Sequence, residues 1–241
     1  MKNKILEHIK INKEKGKKLL SILLDPDKLS LDKIQSTIKK INQQKVDFIF
    51  VGGSDVKNGI TDSFVKKIKE FTEIPVILFP GDFSQLTNNA DAVLFLSLLS
   101  GRNPEFLIEQ QIKSVPFLKE SSIEIIPTGY LLIDGGVETS VQKVSETTPI
   151  SQSSIDLIVD TAVAGEYLGK QIIYLEAGSG AKKIVGKRII KAVSENLTIP
   201  LIVGGGIKTK EQLKQAYQYG ADLVVIGTAF EENNNFLKNL E

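Results

Sequence analysis

Leu201-Ile202-Val203-Gly204-Gly205-Gly206, followed by residues 209–219 and Gly220 and then by Leu223-Val224-Val225-Ile226-Gly227-Thr228, decides the fold. A short β-branched run ends in three glycines. A helical segment follows, from Thr209 to a C-terminal stop at Gly220. A second apolar run then ends in Gly227-Thr228. Two strands joined through one helix form a βαβ unit, whose strands lie parallel. Both runs are apolar on both faces, as strands sandwiched between a barrel interior and a helix layer should be.

The same alternation extends back to the N-terminus. Further strands are predicted at 19–24, 46–51, 75–79, 92–97, 123–127 and 171–175. Helices are predicted at 31–44, 62–71, 84–88, 104–118, 153–168 and 187–196, with a last one over 229–240. Ile34, Ile38 and Ile41 illustrate the helical spacing. Eight strands alternating with helices predict an α/β protein, a single (β/α)₈ (TIM) barrel forming one domain over 1–241. A doubly wound open sheet competes, but the strands show no early Gly-x-Gly-x-x-Gly turn. The least regular region, 128–152, is rich in Gly, Ser and Thr, and a long loop at a barrel mouth is often functional.

Composition narrows the chemistry. The chain has 241 residues, 30 Lys+Arg against 29 Asp+Glu, one His, no Cys and no Trp. Without Cys there is no disulfide framework, thiolate nucleophile, Cys-bound zinc or iron–sulfur cluster. With a single histidine, His8, read as a surface residue of an N-terminal helix, most His-based triads and multi-His metal sites are excluded. A net charge of +1 gives no bulk attraction to nucleic acid, and none is expected as a partner. Lys13, Lys15, Lys17 and Lys18 form a small basic cluster read as solvated. There is no secretory signal and no apolar run of membrane-spanning length, so a cytoplasmic protein is expected. Asn196-Leu197-Thr198 then matches a glycosylation pattern by chance.

The active site of a (β/α)₈ barrel lies at the C-terminal ends of its strands. Here those ends carry Asp25-Pro26-Asp27, Gly53-Ser54-Asp55, Pro80-Gly81-Asp82, Ser97, Thr128-Gly129-Tyr130, Glu176-Ala177-Gly178-Ser179-Gly180, Gly204-Gly205-Gly206 and Gly227-Thr228. Glycine-rich turns after strands seven and eight favour phosphate binding over tight turns alone. They let backbone N–H groups approach phosphate oxygens, and the helix starting near Ala229 adds its N-terminal dipole. Gly178 to Lys187 looks superficially like a Walker loop. It fails, because Ala181 stands where the first glycine should be and Arg188 where Ser or Thr is needed. Asp27 reads as a helix cap. Asp25, aimed into the mouth, could with Ser54 supply oxygen ligands to Mg²⁺, and spacing alone leaves metal and turn equally open. Tyr174 and Glu176 alternate on strand six and so share a face. If that face is the interior, a phenol and a candidate general base meet the ligand together.

Seven segments, in order, carry a resemblance. They are Leu24-Asp25-Pro26-Asp27-Lys28, Val51-Gly52-Gly53-Ser54, Leu78-Phe79-Pro80-Gly81, Pro127-Thr128-Gly129-Tyr130, Tyr174-Leu175-Glu176-Ala177-Gly178-Ser179-Gly180-Ala181, Val203-Gly204-Gly205-Gly206-Ile207 and Ile226-Gly227-Thr228. Together they strongly resemble the geranylgeranylglyceryl phosphate synthase family, which includes the heptaprenylglyceryl phosphate synthases. Ser97-Leu98-Leu99-Ser100-Gly101-Arg102-Asn103-Pro104 is similar to the larger subgroup, which includes archaeal members. The resemblance implies a Mg²⁺-dependent prenyltransferase of phospholipid biosynthesis. It would join a long prenyl diphosphate, geranylgeranyl diphosphate above all, to the 3-hydroxyl of sn-glycerol 1-phosphate. Metal ligands would be Asp25 and Ser54. The glycerol phosphate would be held by Tyr174, Leu175, Glu176, Ala177, Gly178, Ser179, Gly180, Gly205, Gly206, Gly227 and Thr228, with Glu176 and Tyr174 catalytic. The resemblance also implies a homo-oligomer. Transient membrane contact would suit a lipid substrate, and Phe79, Leu96 and Leu98 are candidates to line its groove. Against this stand a sugar-phosphate isomerase, an aldolase and a non-enzymatic barrel. The aldolase lacks a Lys at a strand C-terminus, since Lys18 and Lys170 precede their strands.

Overall fold

A computed structural model of the protein describes residues 4–53, 56 and 59–232. Among the described residues, eight strands close into a barrel in chain order. They are β1 (Leu19–Leu24), β2 (Phe48–Val51), β3 (Val76–Leu78), β4 (Ala92–Leu98), β5 (Glu124–Leu132), β6 (Ile172–Glu176), β7 (Leu201–Gly204) and β8 (Leu223–Ile226). Each pairs in parallel with the next, and β8 closes on β1 with Leu19 opposite Leu223. Around them run α1 (Lys4–Glu14), α2 (Leu31–Ile41), α3 (Ile60–Lys69), α4 (Gln110–Glu120), α5 (Ser140–Ser145), α6 (Ile155–Tyr167), α7 (Lys187–Asn196), α8 (Lys210–Gln218) and α9 (Thr228–Glu232). A 3₁₀ turn, Phe83–Gln85, follows β3, and a π-helical turn, Glu105–Glu109, leads into α4. The predicted (β/α)₈ barrel is therefore the architecture observed.

Strand alternation divides the core in two. Phe48, Phe50, Leu94, Tyr174, Ile202 and Val225 fill the barrel interior, while Ile22, Ile49, Val93, Leu175 and Val203 face the helix layer. Ile34, Ile38 and Ile41 of α2 are all fully buried against that outer face. Each such side chain stabilises by roughly 1.5–3 kcal/mol. Thr209 and Gln212 cap α8 reciprocally, and Gly220 ends the turn beyond it at φ +118°, a left-handed position that favours glycine.

The N-terminal end of the barrel is closed by α1. Glu124, at the start of β5, accepts the N–H groups of Ile5 and Leu6 at 2.8 Å each. Such a carboxylate satisfies donors that a helix N-terminus leaves unpaired. Beside it, buried Asp222 accepts the Leu201 N–H and pairs with Lys13 at 3.0 Å and Lys18 at 3.6 Å. Two lysines read as solvated thus hold the barrel floor. His8 is exposed on α1, with its ring edge against Phe48.

Three departures bear on the site. β5 runs five residues past its predicted end at 127 and takes in Thr128, Gly129 and Tyr130. Leu98 and Tyr174 flank Tyr130 in register, so pairing on both sides extends the strand. The region 128–152, read as a loop, thus begins as strand and also contains α5. Asp27 is not a helix cap: Ser30 occupies the N-cap of α2, and no side chain caps it. Finally, α9 covers the first turn of the predicted 229–240 helix, whose remainder lies outside the described residues.

Candidate active site

The strand tips open onto a cleft of about 360 Å³ at the C-terminal face. Its polar corner is built by β6, β7 and β8. Glu176 ends β6, is 6% exposed, and accepts the Gly178 N–H at 2.7 Å. Burial raises its pKa to about 7, while the Tyr174 hydroxyl and the Gly178 N–H pull in the opposite direction. Tyr174 is fully buried inside the barrel, and its hydroxyl meets no partner in hydrogen-bonding geometry among the described residues. Phenol and carboxylate therefore do face the interior together.

Glycines make room for them. A Cβ on Gly204 would collide with the Tyr174 hydroxyl and lie 2.7 Å from Glu176 Oε2, and one on Gly205 would strike Glu176 Oε1. Gly178, Gly180, Gly205 and Gly206 all have positive φ, which lets these turns bend tightly around the corner. Ser179 Oγ and Thr228 Oγ1 lie 3.3 Å apart, so the β6 and β8 turns meet across it. Gly178, Ser179, Gly180, Gly205, Gly206, Gly227 and Thr228 all line the cleft with Tyr174 and Glu176. Leu175 and Ala177 do not. Their side chains pack in the outer layer, and the Ala177 N–H is taken by Gly204 O. The period of two that brings Tyr174 and Glu176 inward turns these two outward.

Next to the β8 turn stands Asp25, just past β1. Its Oδ1 accepts the Asp27 N–H at 3.0 Å, and its Oδ2 pairs with Lys28 at 3.2 Å. Turn former and cleft wall are thus the same side chain. A Cβ on Gly53 would lie 2.9 Å from Asp25 Oδ1, so glycine there leaves the carboxylate open toward β2. Ser54 lies outside the described residues. No cluster of three or more His, Cys, Asp or Glu able to hold a metal occurs among the described residues. A cleft-lining carboxylate beside the glycine turns fits Mg²⁺, which takes few protein carboxylates and completes its shell with ligand oxygens and water.

Aromatic rings floor the cleft. Phe79 stacks on Tyr174 at 5.2 Å between centroids, and Tyr130 meets both rings at 5.8 and 5.4 Å. Tyr130 is buried, and burial together with the neighbouring Glu176 raises its pKa well above the ordinary value. From here the cleft becomes apolar and leaves the barrel through its wall. It touches Leu94, Leu96 and Leu98, which point inward, and also Val93 and Phe95, which point outward. A passage touching both sets crosses between strands. The opening exists because β3 is three residues long and pairs with β4 only through Ala92 and Val93, while β4 continues to Leu98. Leu86 after the 3₁₀ turn, Phe106 of the π turn, and Gln110, Gln111 and Ser114 of α4 complete the slot.

Phe79, Leu96 and Leu98, named from the sequence as groove candidates, do line the cleft; sequence reasoning missed the α4 side of the slot and missed α5, whose Ser140, Val141, Val144 and Ser145 also line it. A signal for α5 was present. Thr139 accepts the Gln142 N–H at 3.2 Å, and the Thr-x-x-Gln spacing is that of a capping box.

By fold and site the protein belongs to the (β/α)₈ barrels whose glycine turns after β6, β7 and β8 border one cleft, here extended by an apolar slot. The PcrB family profile matches residues 9–240, and the chain belongs to that family. It is 53% identical over 224 residues, 93% of this chain and 92% of its relative, to geranylgeranylglyceryl phosphate synthase of Flavobacterium johnsoniae. It is 42% identical over 232 residues, 96% and 90% of the two chains, to the enzyme of that name from Thermococcus gammatolerans. The crystal structure of (S)-3-O-geranylgeranylglyceryl phosphate synthase from Thermoplasma acidophilum, in complex with substrate sn-glycerol-1-phosphate, superposes with a TM-score of 0.91 at 34% identity, covering 99% of this chain and 95% of that one.

Proposed function

We propose that the protein transfers the geranylgeranyl group of its diphosphate to the 3-hydroxyl of sn-glycerol 1-phosphate, giving 3-O-geranylgeranyl-sn-glyceryl 1-phosphate and diphosphate. The observation that carries the reading is one cleft joining a buried carboxylate and a glycine-turn corner to an apolar slot, in a chain whose relatives bear this enzyme's name. The turns at Gly178–Gly180, Gly205-Gly206 and Gly227-Thr228 hold the glycerol phosphate. Tyr174, whose hydroxyl lies beside Glu176, presents it to the glycerol. Glu176 orients the 3-hydroxyl and takes its proton as the oxygen bonds to the allylic carbon and the carbon–diphosphate bond breaks. The Phe79, Tyr130 and Tyr174 rings face the positive charge that develops on that carbon. Asp25, with Ser54, would hold Mg²⁺; when bound, the ion neutralises the leaving diphosphate.

Exposed Phe83 and Val144 stand at the cleft walls, which supports transient contact with a membrane that stores the lipid substrate. Among the described residues no helix is long and apolar enough to cross one. The π-helical turn, α4, β5 and α6 expose Ile108, Ile112, Val115, Ile125, Leu157 and Tyr167, which supports self-association there.

The test is incubation with sn-glycerol 1-phosphate, labelled geranylgeranyl diphosphate and Mg²⁺, followed by lipid extraction. Labelled ether lipid is expected from the wild type, with the product lost on chelation and the Mg²⁺ requirement raised about tenfold or more in Asp25→Asn. Absence of ether product from the wild type would overturn the reading. Product formation unaffected by chelator would overturn the metal assignment alone.

A further inference from the structure

α4 adds three polar side chains to the slot in the barrel wall, Gln110, Gln111 and Ser114, and of these Gln111 alone has a buried polar atom without a partner among the described residues. This side chain is 8% exposed and lines the slot from the first turn of α4. Its amide nitrogen donates to the carbonyl of Leu96, on the part of β4 that runs past β3. That bond tethers the amide to the wall. Its Oε1 is buried with no hydrogen-bond donor among the described residues. The backbone beneath it is fixed as well, because Ser114 Oγ donates to Gln111 O at 2.7 Å. A π-helical turn, a feature often found at functional sites, stands directly before α4.

We infer that Gln111 is a specificity-determining residue, limiting how far a prenyl chain gains by extending along the slot. The inference rests on the prenyl-transfer reading above. A hydrocarbon offers no donor to an amide oxygen. Isoprene units lying between Leu94, Phe95, Leu96 and Leu86 exchange water for apolar contacts and add affinity. A unit pressed against Gln111 instead covers a polar oxygen that nothing then satisfies, so its contribution is largely cancelled. The tether to Leu96 prevents the amide from swinging aside. The chain length at which binding stops improving is therefore set by where Gln111 stands.

The test compares kcat/KM for geranylgeranyl diphosphate with that for the homologue one isoprene unit longer, in the wild type and in Gln111→Leu and Gln111→Met. Both variants keep the volume of the side chain and remove its polar atoms, and far-ultraviolet circular dichroism establishes which of them folds. The expected result is a rise of about tenfold in the ratio favouring the longer diphosphate. A ratio within twofold of wild type in a folded, active variant would overturn the role of Gln111 and leave the transferase reading intact. A wild type inactive with both diphosphates would overturn the transferase reading, and this inference with it.

Discussion

At Glu176, burial and chemistry act against each other. The carboxyl is displaced to a pKa of about 7 because ionising it in the barrel mouth forfeits hydration. As a base it works only when ionised, so kcat/KM should fall about tenfold per pH unit below neutrality. Glu176→Gln should reduce turnover by about 10²- to 10⁴-fold and flatten that profile. The same displacement has a stability consequence with a definite sign. Because the folded-state value is raised above 4.5, the protein is favoured by the neutral carboxyl at low pH and loses that advantage as pH rises through about 7. Glu176→Gln should therefore unfold at a higher temperature than the wild type at pH 8, by about 3 kcal/mol in stability, with the gap closing by pH 4. Thermal melts at the two pH values check this, and a variant less stable than wild type at pH 8 would contradict it. The alternation of Tyr174 and Glu176 was readable from a spacing of two. The same spacing places the side chains of Leu175 and Ala177, which the resemblance counts among the glycerol-phosphate contacts, on the other face, so only their backbone is turned toward the cleft side.

Among the elements, those with strong periodicity were readable and those set by neighbours were not. α7 spans its predicted residues, and β1 and β8 begin and end where the apolar runs do. β5 and β3 are different. Nothing local says that β5 should continue through Pro127 and Gly129, or that β3 should stop after three residues; pairing with the strands beside them decides both. That pair of lengths opens the slot. Helix α1 is also held by a tertiary contact, the Glu124 carboxylate at its first turn. Glu124→Ala should lower the unfolding free energy by about 3 kcal/mol, read as a lower urea midpoint. Specific activity below the transition should persist, because α1 and the cleft lie at opposite ends of the barrel. Loss of activity without loss of stability would contradict this placement.

For the whole molecule, the apolar side chains that α4, β5 and α6 expose bear on the proposed self-association. Ile112 is 55% exposed, and Ile108, Val115 and Ile125 stand exposed with it. If a second copy covers these side chains, light scattering should report a mass of at least twice one chain. Ile112→Glu should shift it toward the monomer, since a charge buried in an apolar interface is strongly unfavourable. A monomeric wild type at micromolar concentration would refute the assignment. The amino-acid sequence by itself determined the barrel, the face that carries the chemistry and the carboxylates and glycines placed there, because strand period and turn chemistry are local. Only the tertiary structure decided which of those groups share a cleft, how far Glu176 is displaced, and that the apolar passage leaves through the gap between β3 and β4. Those properties depend on burial and on unequal strand lengths, and both arise only when distant segments pack together.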